Sequence, residues 1–165
     1  MTLSVAAGGS ATAAFVDSIA TLGVVKPTDE SLTSNTTMQN DNDLVLAVAA
    51  STIYEFTCYL SYTAASGDDL KWVWQGPSGA FLRYCALHNE GGTTGLSNSN
   101  VNYGIASVVV AEGSGTGSGT VVFMHGTLRT GTTAGNLQLQ WAQNVSSGSS
   151  TTVKQDSHLI LRPIG

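Results

Sequence analysis

The sequence predicts an all-β fold, an antiparallel β-sandwich or jelly roll of about eight strands behind an extended N-terminal arm. Three observations lead there. Apolar residues alternate with period two from Leu44 onward, Gly, Ser, Asn or Asp stand near most ends of the alternating segments, and after residue 25 no apolar set at helical spacing lasts three turns. A parallel βαβ arrangement needs helices between its strands, so that class is disfavoured.

The arm is assigned to residues 1–30 and the sandwich domain to residues 31–165. The first 43 residues are of low complexity, broken by Gly8-Gly9, Pro27 and a polar run over 31–43, with no sustained periodicity. Apolar residues between 15 and 22 fall near helical spacing and allow one short helix. Phe15, Val16, Ile19 and Leu22 are the arm's candidate contacts with a partner. The strands follow in order. Residues 44–48 come first, and 53–62 give the clearest alternation, with Tyr54, Phe56, Cys58, Leu60 and Tyr62 on one face. Leu70, Trp72 and Trp74 share a face over 70–75, where core packing is preferred to display of the indoles. The turn at 76–79 leads into 80–86, and the two segments read as a hairpin. Further strands are expected at 102–111, 120–128, 137–143 and 157–164. Two loops, 89–100 and 112–119, are long enough to be functional or covered by a partner.

Composition narrows the function classes. Gly, Ser and Thr make up 58 of 165 residues and charged residues only 10%, against an average of about 25%. No 18-residue apolar run exists to span a membrane. A hydrophobic fraction of 42% with net charge −5 predicts a packed chain rather than disorder. Six scattered Lys and Arg give no basic patch for phosphates, so nucleic acid is not an expected partner. The first 25 residues lack the basic start and compact apolar stretch of a signal peptide, and are read as mature protein. Cys58 and Cys85 both lie in apolar alternation and are expected as two buried free thiols, in a reducing compartment.

Catalytic patterns are weak. The glycine-rich segment 113–119 lacks the Lys and Ser/Thr of a phosphate loop and precedes a strand, which favours a flexible hairpin loop. His88 is expected in a loop, His125 in the core or an interface with Val121 and Phe123, and His158 at the start of the last strand. No pair has zinc-ligand spacing. No Gly-x-Ser-x-Gly elbow singles out a nucleophile among 19 serines. Asp41-Asn42-Asp43 and Asp68-Asp69 offer oxygen ligands but read more simply as solvated turns or strand caps. The chain is therefore expected to be no enzyme and to need no cofactor or metal.

The most distinctive pattern is in the last third, where Gly126-Thr-Leu-Arg-Thr-Gly-Thr-Thr-Ala-Gly-Asn-Leu-Gln-Leu-Gln-Trp-Ala-Gln-Asn144 is followed by Thr152-Val-Lys-Gln-Asp-Ser-His-Leu-Ile-Leu-Arg162. This resembles small virion proteins of tailed bacteriophages of actinobacteria, head decoration or minor tail components. The likeness spans about residues 31–164 and is most specific over 137–143. It implies a virion location, assembly in the bacterial host cytoplasm, and the phage major capsid protein or tail proteins as partners. One face of strand 137–143 reads Leu137, Leu139, Trp141, and the other Gln138, Gln140, Ala142, polar but uncharged. Such a face suits burial against a like subunit, because each unpaired charge buried there would cost several kcal/mol. Gln138, Gln140, Trp141 and Gln143 are accordingly the candidate subunit-interface residues. A homotrimer is expected by fold-level analogy with trimeric jelly rolls of the tumour-necrosis-factor type. Two roles follow: a capsid decoration (cement) protein bound to the head, or a minor tail or fibre-head protein that binds a host-surface glycan through loops 89–100 and 112–119, with Tyr103 or Trp141 as stacking residues.

Overall fold

The computed structural model describes residues 20–89 and 96–165. Among them are twelve strands and no helix. In chain order these are β1 (Leu22–Val25), β2 (Glu30–Leu32), β3 (Gln39–Val48), β4 (Ile53–Ala64), β5 (Leu70–Gln75), β6 (Phe81–Asn89), β7 (Leu96–Gly104), β8 (Val109–Ala111), β9 (Gly115–Arg129), β10 (Gly135–Gln143), β11 (Thr151–Val153) and β12 (His158–Pro163). They form a β-sandwich. The larger sheet runs β1-β12-β4-β9-β6-β7, with β11 bridging β2 to β4, and the smaller runs β3-β10-β5-β8. All pairings are antiparallel, and five are nested in the sequence around the β6–β7 hairpin: β1 with β12, β2 with β11, β3 with β10, β4 with β9, β5 with β8. A ribbon doubled over at β6–β7 and wrapped around the core pairs in this way. The hairpin β6–β7 extends the larger sheet beyond β9.

Alternation decides which side chains go inside. In β4 the set Tyr54, Phe56, Cys58, Leu60, Tyr62 is buried, as its period requires. Facing it from the smaller sheet are Trp72, Trp74 and Trp141, all fully buried. Each indole N–H has an acceptor, which a buried tryptophan needs. Trp72 donates to the Tyr84 hydroxyl (3.2 Å), Trp74 to Met124 Sδ (3.4 Å) and Trp141 to Asp41 Oδ2 (3.0 Å). Phe56 meets Trp74 edge-on, with centroids 5.2 Å apart.

Several expectations are corrected. Residues 70–75 and 80–86 are not a hairpin: β5 and β6 lie in different sheets, and the turn at 76–79 carries the chain across the sandwich. Short-range turn chemistry is the same for a hairpin and a corner, and Gly79 (φ 76°) serves either. The segment 102–111 is likewise split between β7 and β8, in opposite sheets. Cys85 is exposed, while Cys58 is buried as expected and both thiols are free. His88 is in β6 and fully buried, edge-on to Trp72 at 5.7 Å, rather than in a loop. In β9 the inward set is Val122, Met124 and Leu128, so Val121, Phe123 and His125 face outward.

The boundary at residue 30 moves as well. β1 pairs with β12 from Leu22↔Leu161 to Val25↔His158, and β2 pairs with β11, so residues 22–32 belong to the body. Leu22 is half-buried against the core instead of free for a partner. Phe15, Val16 and Ile19, with the helix suggested near them, lie outside the described residues. A four-residue strand carries too few alternations to stand out from a low-complexity background.

Candidate functional site

The outer face of the larger sheet carries two adjacent rows of residues without Asp, Glu, Lys or Arg. Register places Val25, His158, Tyr59, Phe123 and Leu87 in one row across five strands. The adjacent row reads Gly23, Ile160, Thr57, His125 and Cys85. None is an acid or a Lys or Arg. Val25 is 58% exposed, Phe123 41% and Ile160 38%. Tyr59 and His158 stack with centroids 5.4 Å apart and planes 19° apart, and Thr57 Oγ1 is 3.3 Å from His125 Nδ1. Charge borders the strip on both sides. In the next row Arg162 pairs with Glu55 at 2.6 Å and Arg83 lies 4.6 Å from the centroid of the exposed Phe81 ring. Beyond Tyr59, Lys154 beside Ser61 pairs with Asp29. An apolar strip with a polar rim is how interaction surfaces are built. Five strands about 4.8 Å apart and two rows give roughly 250 Å² of projected face, about a third of the ~800 Å² per partner in a standard interface. The strip can be the centre of a contact but needs further surface or many copies to hold.

The predicted interface on β10 is reorganised. Trp141 and Gln143 are fully buried. Trp141 has the inward parity of Leu137 and Leu139, which excludes it as a glycan platform. Gln143 is buried because its amide organises the chain around it: Asn35 N–H donates to Oε1 (3.0 Å) and Nε2 donates to Ser149 O (2.7 Å). Gln143→Ala is expected to cost about 1–3 kcal/mol, since two backbone groups lose their partner; chemical denaturation checks this. Gln138 is half-buried and donates to Asp41 O (2.9 Å). Gln140 keeps an outward position, bonded to Asn40 Oδ1 (2.8 Å) and Gln75 (3.4 Å). Tyr103 is half-buried against Tyr84 with centroids 5.5 Å apart, so it too is no open stacking residue. Of the two loops, 90–95 lie outside the described residues and 115–119 continue β9.

The second notable site is internal and was not anticipated. Lys26, just after β1, is fully buried. Its Nζ lies 2.6 Å from Glu30 Oε2, 3.0 and 3.1 Å from the two oxygens of Asp41, and 3.0 Å from Asp43 Oδ2. Asp41 is itself inside because β3 bulges: pairing with β10 steps from Val45↔Gln138 to Asn40↔Gln140, so residues 41–44 oppose Leu139 alone. The bulge turns Asp41 inward, where Oδ1 accepts from Asp43 N–H (3.0 Å) and Leu44 N–H (2.8 Å). Burial alone would lower the lysine pKa, but hydrogen bonds to Glu30 and Asp41, the Asp41 charge and the bond to Asp43 hold it above its ordinary 10.5. The three carboxylates lie within 4.8 Å of one another, close enough for a metal ion, but the ammonium stands among them. The strand-cap reading of Asp41 was right in part, through its bonds to 43 and 44; the solvated reading was not. One signal was available: Lys26 is the single Lys or Arg in the first 70 residues. Asp69 behaves as the expected cap, accepting from Gly113 N–H at 3.1 Å.

No family model matches the chain, and no curated protein matches it. Among solved structures it aligns with two of infectious bursal disease virus, the Gt strain (12% identity, TM-score 0.25, 99% of this chain and 47% of that one) and the Gx strain (12%, 0.22, 88% and 42%). It also aligns with a VP2 subviral particle of the same virus (14%, 0.25, 88% and 42%). The chain spans less than half the length of these matches. TM-scores this low fix neither fold nor role.

Proposed function

We propose that the chain is a virion structural protein: a decoration (cement) protein that binds the head surface of a tailed bacteriophage as a homotrimer, with the major capsid protein as partner. The observation that carries this reading is the uncharged two-row strip on the outer face of the larger sheet, centred on Phe123 and Ile160. The resemblance of residues 31–164 to small phage virion proteins supplies the partner class, and the nested strand pairing supports a jelly roll. The β10 glutamines were expected at a subunit interface; in this reading the docking contact lies on the β4–β9–β12 face, where Phe123 and Ile160 are exposed.

The arm keeps a role in this reading, shortened to residues 1–19 because β1 belongs to the sheet. A strip of roughly 250 Å² is too small to hold alone, so arm and strip act together. The test is binding to capsids that lack the protein. Phe123→Asp places a charge where it must be desolvated, and is expected to weaken binding at least tenfold while the fold is kept, since Phe123 is outside the core. Deletion of residues 2–19 is expected to weaken binding as well. Undiminished binding by Phe123→Asp would remove the docking strip; undiminished binding by the truncated chain would remove the arm. Particles that carry the protein only at the tail, with glycan binding lost on replacement of loop 89–100, would favour the fibre-head role.

A further inference from the structure

We infer that Lys26 and Asp41 condense to an intramolecular isopeptide bond, with Glu30 as the proton-transfer catalyst. Four features of the geometry bear on this. First, Nζ is nearly equidistant from the two Asp41 oxygens (3.0 and 3.1 Å), so the amine faces the carboxyl carbon between them. Second, Glu30 Oε2 is 2.6 Å from the same nitrogen, within reach of the protons it must lose. Third, Asp41 Oδ1 has two preset backbone donors, the N–H groups of Asp43 (3.0 Å) and Leu44 (2.8 Å), and Trp141 Nε1 donates to Oδ2 (3.0 Å). Paired donors on one oxygen are how developing negative charge is held in acyl chemistry. Fourth, Lys26 and Asp41 have no exposed side-chain surface, so water is kept from the reacting atoms.

The step balances without any co-reactant. One proton passes from the Lys26 ammonium through Glu30 to Asp41 Oδ2, leaving a neutral amine, a neutral carboxyl group and Glu30 again as the carboxylate. The Nζ lone pair forms the N–C bond to Asp41 Cγ, and the negative charge that develops on Oδ1 is held by the N–H groups of 43 and 44. A second amine proton passes through Glu30 to the departing oxygen. The Cγ–Oδ2 bond breaks, and one water molecule leaves. The ammonium and the carboxylate become a neutral amide, so two buried charges disappear with the desolvation cost they carried, while Glu30 and Asp43, which lose the cation, are partly exposed to solvent. Three carboxylates around one ammonium favour the charged lysine, so the neutral-amine fraction sets the rate and proximity supplies the rest. The product would tie the segment after β1 to β3 across the two sheets.

Intact mass of the denatured full-length protein tests this. The expected mass is one water molecule below that of the sequence, and cleavage at Met38 is expected to leave the Lys26 and Asp41 peptides joined. Lys26→Arg is expected to restore the full mass, and Glu30→Gln to slow bond formation about a hundredfold or more. A wild-type protein at full sequence mass, with the two peptides separate, would overturn the bond. That readout needs no variant to fold. Loss of water that persists in Lys26→Arg would overturn the assignment to Lys26, and unchanged formation in Glu30→Gln would overturn the role of Glu30. Capsid binding is not measured, so failure here leaves the decoration reading to its own test.

Discussion

Relative to the protein with Lys26 and Asp41 unbonded, Lys26→Met is expected to lower unfolding free energy by about 3–5 kcal/mol, the cost of removing one partner from a buried ionic cluster. Methionine keeps most of the side-chain volume, so the loss reports charge rather than a cavity. Three carboxylates then crowd within 4.8 Å of one another with no cation among them. In a protein of this size the loss corresponds to a melting temperature lower by roughly 6–20 °C. Thermal unfolding followed by circular dichroism measures it. A shift under about 2 °C would mean that water already screens the carboxylates, contrary to the burial of Lys26 and Asp41. Combining Lys26→Met with Asp41→Leu is expected to recover part of the loss, since it removes the charge that the first change strands.

The second large effect is predicted at Gly126. It sits in β9 opposite Phe56 of β4 and Tyr84 of β6. A Cβ there would come 1.9 Å from Arg83 O and 2.6 Å from Tyr84 Cα, both backbone atoms of β6. Backbone cannot rotate away as a side chain can, so β6 must separate from β9 and give up ladder hydrogen bonds. Gly126→Ala is therefore expected to cost about 3 kcal/mol or more, at the upper end of overpacking penalties. Gly117→Ala, where nothing lies within 4 Å of the new methyl, is the control and is expected to change little. Equal stability of the two variants in urea would contradict the close approach of β6 to β9.

How much of this could be read from the sequence follows from the range of each interaction. Period two along β4 is local, so the buried faces of Tyr54 to Tyr62 and of Trp72 and Trp74 were legible. Sheet membership is not local. The same turn serves a hairpin or a corner between sheets, which is why β5 and β6 were wrongly paired. The face of β10 was read correctly for Leu137, Leu139 and Trp141, yet Trp141 was also assigned to an interface because its buried partner, Asp41, is 100 residues away. Gln143 reads as a polar residue at the end of a strand, and its backbone partners at 35, 147 and 149 could not be inferred from its neighbours. In β9 two alternating apolar sets compete, Val121-Phe123 against Val122-Met124, and only packing on β4 and β6 chooses between them. The Lys26 cluster was the largest omission. Its four side chains come from a loop, a short strand and a bulge, none of which has a periodic signature.

Under the proposed function the outer face of the larger sheet seats this protein on a virion head. Cryo-electron microscopy of the assembled particle tests it most directly. The account predicts density for the sandwich on the outer capsid surface, in groups of three, with the β4–β9–β12 face and Phe123 turned toward neighbouring subunits. Density on the tail alone, or a head-bound sandwich with that face open to solvent, would contradict it.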